Sequence, residues 1–260
     1  MKYIESLFTL KGKVAVVIGG GGVLAGVMAE ALAWAGARVA IVDVHPENAR
    51  LKAEEIQKRT GGQVLAIVGD ASLTTDLEQA RKRIMAEWKR VDVLINAPGI
   101  NSATPVFDIE EKEWHKILDV NLKSIFLSCR IFGKRMIDQG EGGSIINISS
   151  ASSDPPLSKV FTYGISKAGV NNLTQFLARE WAPHRVRVNA IAPGFFPAEQ
   201  NRKLLTAERT EAIFRHTPMA RFGEPEELAG TVLWLASDKA SSFVTGAIIR
   251  VDGGFSAMTI

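Results

Sequence analysis

The chain has 260 residues, an apolar fraction of 46% and a net charge of +3, with basic and acidic residues interleaved along its length. That balance allows one large core and argues against nucleic acid as the main partner, which needs a concentrated basic face. No apolar run approaches the roughly 18 residues of a membrane span, so no membrane partner is expected.

The opening stretch, MKYIESLFTLKGKV, lacks the continuous apolar core and small-residue cleavage site of a signal peptide. A single cysteine, Cys129, excludes an intrachain disulfide, and its setting SIFLSCRIF reads as a buried helix face. His45, His115, His184 and His216 lie far apart with no metal-ligand spacing, so no metal is expected. These features together predict a soluble, cytoplasmic protein.

In chain order, short β-branched runs alternate with helical stretches. VAVVIG (14–19), RVAIVDV (38–44), QVLAIVGD (63–70), VDVLINA (91–97), GSIINISS (143–150), RVRVNAIAPG (185–194) and GAIIRVDGG (246–254) are near-continuous apolar runs. Such runs suit strands covered on both faces of a parallel sheet. The segments between them carry helical periodicity, and several stop at Gly or Pro. The pattern predicts a single α/β domain over 1–260, a Rossmann-type, doubly wound parallel sheet of about seven strands with helices on both faces. The polar stretch from about 195 to 225 interrupts the alternation and is a candidate substrate lid.

Ligands of such sheets bind beyond the carboxyl ends of the strands. The first strand leads into IGGGGVLAGVMAEALA, where Gly19 to Gly22 allow a tight turn before a helix, and Gly19, Gly22, Val23 and Leu24 are expected to bind the cofactor. A pyrophosphate would meet the free N–H groups and positive dipole end of that helix. Asp43 ends the second strand about 20 residues on, where a carboxylate accepts hydrogen bonds from an adenosine ribose. The same charge repels a 2′-phosphate, and neither the glycine turn nor Val44 and His45 offers an Arg or Lys to hold one. The expected cofactor is therefore NAD in preference to NADP.

Tyr163 and Lys167 stand four positions apart in VFTYGISKAG, which places them on one face of a helix. An ammonium beside a phenol favours the phenolate and lowers a pKa that is about 10 in free tyrosine. On the residues alone, an acid/base device and an ordinary solvated pair both remain open.

Taken in order, the motifs resemble those of the short-chain dehydrogenase/reductase family, from about Leu10 to Phe255. The resemblance implies that Asp70 and Ala71 lie at the adenine and that NAPG, Asn96, Ala97, Pro98 and Gly99, lies beside the cofactor. It places APG, with Pro193 and Gly194, beside the nicotinamide, with Phe196 close by. It implies Asn121, Ser150, Tyr163 and Lys167 as the catalytic set. Tyr163 would be the acid/base, and Lys167 would hold the ribose and depress the phenol. Ser150 would hydrogen-bond the reacting oxygen, and Asn121 would hold a water that links Lys167 to solvent. The separation of 13 residues between Ser150 and Tyr163 selects Ser150 over Ser149.

The chain departs from the family pattern at Ile18, at Val23 and Ala25, and at Ala97 and Pro98. GGGGVLAGVMAEALA, APGFFPAEQNRKLL and TPMARFGEPEEL are most similar to the mannonate (fructuronate) oxidoreductase branch, which implies a sugar acid as substrate. Asn101, Ser152, Lys159 and Phe196 are candidate pocket residues with Ser150 and Tyr163; Gln200, Asn201, Arg202 and Lys203 open the lid, whose closure could bring Gln200 and the Arg202 guanidinium to a substrate carboxylate. Competing expectations are a dehydrogenase of free sugars or polyols, a 3-oxoacyl ketoreductase, and a catalytically silent dinucleotide-binding protein. The family resemblance also implies a homotetramer.

Overall fold

Strand β1, Val14–Ile18, is buried at all five positions, which explains why its sequence shows no polar alternation. The computed structural model describes residues 2–197 and 205–258. Around β1 lie β2 (Arg38–Asp43), β3 (Val64–Val68), β4 (Val93–Asn96), β5 (Gly143–Ile148), β6 (Val186–Pro193) and β7 (Ile248–Val251). They form one sheet in the order β3-β2-β1-β4-β5-β6-β7, and every pairing is parallel. The expected seven-strand α/β architecture is what the chain adopts.

Helices cover both faces. Val23–Trp34, Pro46–Thr60 and Ala229–Ala236 pack Met28, Leu32, Ile56, Val232 and Leu235 against Ala15, Val17 and Ile95. On the other face, Leu77, Ile84, Phe132, Met136, Val170 and Leu177 meet Val14, Val16, Ile18 and Leu94. Phe132 is fully buried there, and truncating such a ring costs about 3–5 kcal/mol.

Several strands end earlier than their apolar runs suggest. The run 63–70 yields Val64–Val68, and the run 246–254 yields Ile248–Val251. The discarded carboxyl ends carry Gly69, Gly253 and Gly254, where the chain turns out of the ladder at the edge that faces a ligand, and Gly246 precedes β7 at the opposite edge.

The long helical stretch before β5 is also interrupted. It runs as Glu111–Leu118, Ser124–Ser128 and Lys134–Gln139, separated by π-helical turns at Asp119–Lys123 and Cys129–Gly133. Such turns break the regular ladder and recur at functional sites. Within the candidate lid, Ala207–His216 is helical, while Gln200, Asn201, Arg202 and Lys203 lie outside the described residues. Among the described residues no helix is long and apolar enough to cross a membrane.

Candidate active site

Strand order reverses around β1, whose neighbours are β2 on one side and β4 on the other, so a crevice opens above the carboxyl ends of β1 and β4. Gly19 leaves β1 with φ +74, and a Cβ there would stand 3.2 Å from the Ala97 carbonyl. The two turns thus press together, backbone on backbone. A Cβ on Gly21 would fall 2.8 Å from Asn48 Cβ and 2.9 Å from Asp43 Oδ2, so this position also admits only glycine. Gly22 caps Val23–Trp34 without a side-chain bond to the first-turn N–H groups. Val23 is exposed at the first helical position, and Leu24 packs on the core.

Asp43 is buried at the end of β2. Its Oδ2 accepts from the Gly21 amide at 3.0 Å, and its Oδ1 accepts from the His45 amide at 2.9 Å. The carboxylate therefore ties the glycine turn to the next helix. Asp70 Oδ1 accepts from the Ser72 amide at 2.8 Å and the Ser72 hydroxyl at 2.7 Å, and Ala71 is half-buried beside it. This crevice has the tight glycine turns, the uncapped helix end and the carboxylate at the end of β2 that suit a dinucleotide.

The helix Phe161–Trp181 places Tyr163 in its first turn and Lys167 one turn later. Lys167 is 2% exposed; its Nζ lies 5.6 Å from the Tyr163 ring centroid and donates to the Ile148 carbonyl at 2.8 Å. Burial pushes its pKa down to about 8. The expected depression of the phenol is not found. Burial pushes Tyr163 above its ordinary value, and the facing Ser150 hydroxyl opposes that rise. Desolvation of the phenolate outweighs an ammonium that is itself desolvated and aimed at a carbonyl.

Ser150 lies two residues beyond β5 in extended conformation (φ −165, ψ 155) and caps the short 3₁₀ turn Ala151–Ser153. Ser149, its neighbour, is buried and donates to the Lys167 carbonyl, so only Ser150 is on the cavity side. Tyr163, Ser150, Ser152, Asn101 and Gly194 line one cavity, together with Ala151, Leu157, Val160, Phe195, Leu205 and Arg209.

Asn121 sits in the first π-helical turn. Its Oδ1 accepts from the Ile100 amide at 2.8 Å, while its Nδ2 donates to the Ile100 carbonyl at 2.9 Å and to Ser166 Oγ at 3.1 Å. It therefore clamps the loop after β4. A Cβ on Gly99 would lie 3.7 Å from Lys167 Nζ and 3.9 Å from Asn121 Oδ1, which brings Gly99, Asn121 and Lys167 to one point. Ala97 and Pro98 are half-buried beside them.

Three expected positions fall elsewhere. The Asn96 side chain turns into the core, donating to Asn147 Oδ1 at 2.8 Å and to Cys129 Sγ at 3.2 Å and accepting from Ser128. That amide is committed to a fully buried network. Phe196 is buried against Gly223 and the core, and Phe195 takes the place on the cavity wall. Lys159 is exposed with φ +68, and its neighbour Val160 lines the cavity instead. Pro193 is buried in β6, and the next residue, Gly194, packs against the Asp252 backbone. Among the described residues no three His, Cys, Asp or Glu side chains gather at one point.

The family model described as enoyl-(acyl carrier protein) reductase matches residues 22–256. The chain belongs to the short-chain dehydrogenase/reductase family. It is an oxidoreductase acting on alcohol groups. Among its relatives is a 2-dehydro-3-deoxy-D-gluconate 5-dehydrogenase of Escherichia coli (strain K12), 36% identical over 98% of this chain and 99% of that one. The structure of a gluconate 5-dehydrogenase from Burkholderia cenocepacia J2315, in complex with NADP and tartrate, superposes with a TM-score of 0.93. That pair is 31% identical over 98% of this chain and 100% of the other. A Haemophilus influenza protein provisionally named a D-mannonate oxidoreductase, with bound NAD, superposes at 0.91. It is 33% identical, covering 98% and 99% of the two chains.

Of the wall of this short-chain dehydrogenase's cavity, Phe195, Leu205 and Arg209 fall within the stretch read as a candidate lid, whereas Leu157 and Val160 carried no signal in the sequence. The wall residues come from three separated segments whose meeting depends on the fold.

Proposed function

We propose that the protein is an NAD-dependent dehydrogenase that interconverts a secondary alcohol and a ketone on a sugar acid, of the mannonate/fructuronate type. The observation that carries the reaction is the convergence of Ser150 and Tyr163 on one cavity, with Lys167 buried beneath and held by Ile148. NAD, when bound in the crevice, supplies the hydride acceptor. In the oxidative direction Tyr163 Oη takes the substrate hydroxyl proton as the carbinol C–H bond gives up its hydride. Ser150 Oγ–H donates to the same oxygen and stabilises its developing charge. Lys167 fixes the site beneath the tyrosine and presents an ammonium to a ribose hydroxyl. Asn121 acts through Ile100 and Ser166, holding the loop that carries Asn101. One of its expected tasks, holding a water for Lys167, falls to the remaining lone pair of Oδ1.

The preference for NAD rests on Asp43 at the end of β2, where its charge opposes a 2′-phosphate, and on the absence of a cation at Val44 and His45. Similar structures hold either cofactor, so the argument comes from this chain's own residues. The sugar-acid reading draws on the names of these relatives and on a cavity with hydroxyl and amide donors at Ser150, Tyr163 and Asn101. The helix Ala207–His216 closes the cavity as part of the lid. The assembly is a homotetramer, built on the exposed Phe126, Ile165 and Phe176 of the two long helices, and the enzyme works in the cytoplasm.

The description of the matching family model favours a second reading, reduction of an acyl chain. The test is NAD reduction by the purified protein against hexonates, hexitols and simple secondary alcohols, with NADP and an acyl thioester in parallel. Turnover of a hexonate with NAD alone supports the proposal. Turnover of the thioester with NADPH alone overturns it.

A further inference from the structure

Arg209 is, among the described residues, the one charged side chain that lines the cavity shared by Ser150 and Tyr163. It stands in the first turn of Ala207–His216, where Thr206 caps the helix by accepting from the Arg209 amide at 3.2 Å. The cap fixes the backbone from which the side chain departs. At its far end, Nη2 donates to the Ser158 carbonyl at 3.3 Å, on the same loop that sends Leu157 and Val160 into the cavity wall. That bond uses one of the five guanidinium N–H donors and holds the group at the cavity. No carboxylate stands among the described lining residues, and apolar Leu157, Val160, Phe195 and Leu205 make up much of the remaining wall. A half-buried cation in such surroundings gains most from an anion that brings two oxygens in the plane of its fork.

We propose that Arg209 is the residue that selects a carboxylate-bearing substrate, pairing with the carboxylate while Ser150 and Tyr163 hold the reacting carbinol. The inference rests on the sugar-acid reading above and assigns its recognition element to the helix Ala207–His216.

The test is steady-state kinetics of the full-length wild type and of Arg209→Gln, Arg209→Met and Arg209→Lys with NAD. The probes are D-mannonate, D-gluconate and the matching uncharged hexitols. For Arg209→Gln and Arg209→Met, the ratio of kcat/KM for hexonate over hexitol should fall about 10- to 100-fold, chiefly through KM, as expected for loss of a charge-assisted pair. Arg209→Lys should recover part of the ratio. The dissociation constant for NAD, read by quenching of tryptophan fluorescence, checks that each variant is folded. A ratio that stays within about threefold of wild type in both neutral variants overturns the assignment to Arg209 and leaves the sugar-acid reading standing. A wild type that prefers hexitols overturns both.

Discussion

Ser152 donates twice to Ser150 Oγ, from its amide at 3.1 Å and from its hydroxyl at 2.9 Å. Both lone pairs of the Ser150 oxygen are thereby engaged, which leaves its own proton to be donated into the cavity. An oxygen that accepts two hydrogen bonds is also a stronger donor, because the chain of bonds polarises it. Ser150→Ala should lower kcat by about 10²–10³, the usual cost of removing one donor to a developing oxyanion. Ser152→Ala should lower kcat about 3- to 10-fold with little change in KM, in line with one net hydrogen bond. Restoration of kcat in Ser152→Thr would show that the hydroxyl acts by positioning Ser150.

Tyr163 sets a pH dependence whose sign follows from its environment. Because burial raises the phenol above its ordinary value, the protonated form dominates at neutral pH in the free enzyme. Oxidation needs the phenolate, so kcat/KM for the alcohol should rise with pH through the alkaline range. Reduction needs the phenol and should be flat at neutral pH, then fall. Paired pH profiles in the two directions check this, and a flat oxidative profile from pH 6 to 10 would remove Tyr163 as the base. Tyr163→Phe should abolish turnover while the NAD dissociation constant stays within about threefold.

Lys167 is held at a cost to stability. Its folded pKa of about 8 lies below the ordinary 10.5, so the unfolded chain binds the proton more tightly between those values. The penalty is full below pH 8, shrinks as pH rises and vanishes near 10.5. Lys167→Met should therefore be inactive yet more stable at pH 7. The gain should be about 1–2 kcal/mol, from a pKa penalty of about 3 kcal/mol less the bond left unmade at the Ile148 carbonyl. Denaturant melts at pH 7 and pH 10.5 should show the gain only at the lower value.

Asp43 joins cofactor choice to the geometry of the first turn. Asp43→Ala removes the acceptors of the Gly21 and His45 amides and, on the proposed reading, the charge that opposes a 2′-phosphate. NAD affinity should fall about tenfold, and the preference for NAD over NADP should narrow by about 10- to 100-fold as the repulsion disappears. Isothermal titration with both cofactors measures the two effects together. An unchanged ratio would show that this carboxylate serves the turn and not the ribose.

The residue pattern was enough to determine the layered sheet. Runs such as VAVVI, and VAIV within RVAIVD, are apolar, short, β-branched and bounded by turn residues, which suits a strand covered on both faces, and the glycine-rich turn with Asp43 follows locally from its strands. Tyr163 and Lys167 were legible as one helix face because four residues complete roughly one turn. Local pattern could not show which way a buried amide points. Asn96 reads as part of a crevice turn, yet Asn147 and Ser128, 51 and 32 residues away, draw its side chain into the core. Nor could it place Arg209 on the wall that holds Ser150 and Tyr163, since that meeting depends on packing between segments far apart in the chain. The phenol's pKa was likewise a tertiary matter. The sequence supplies the ammonium four residues away, but the depth of burial and the Ile148 carbonyl decide where that charge is spent.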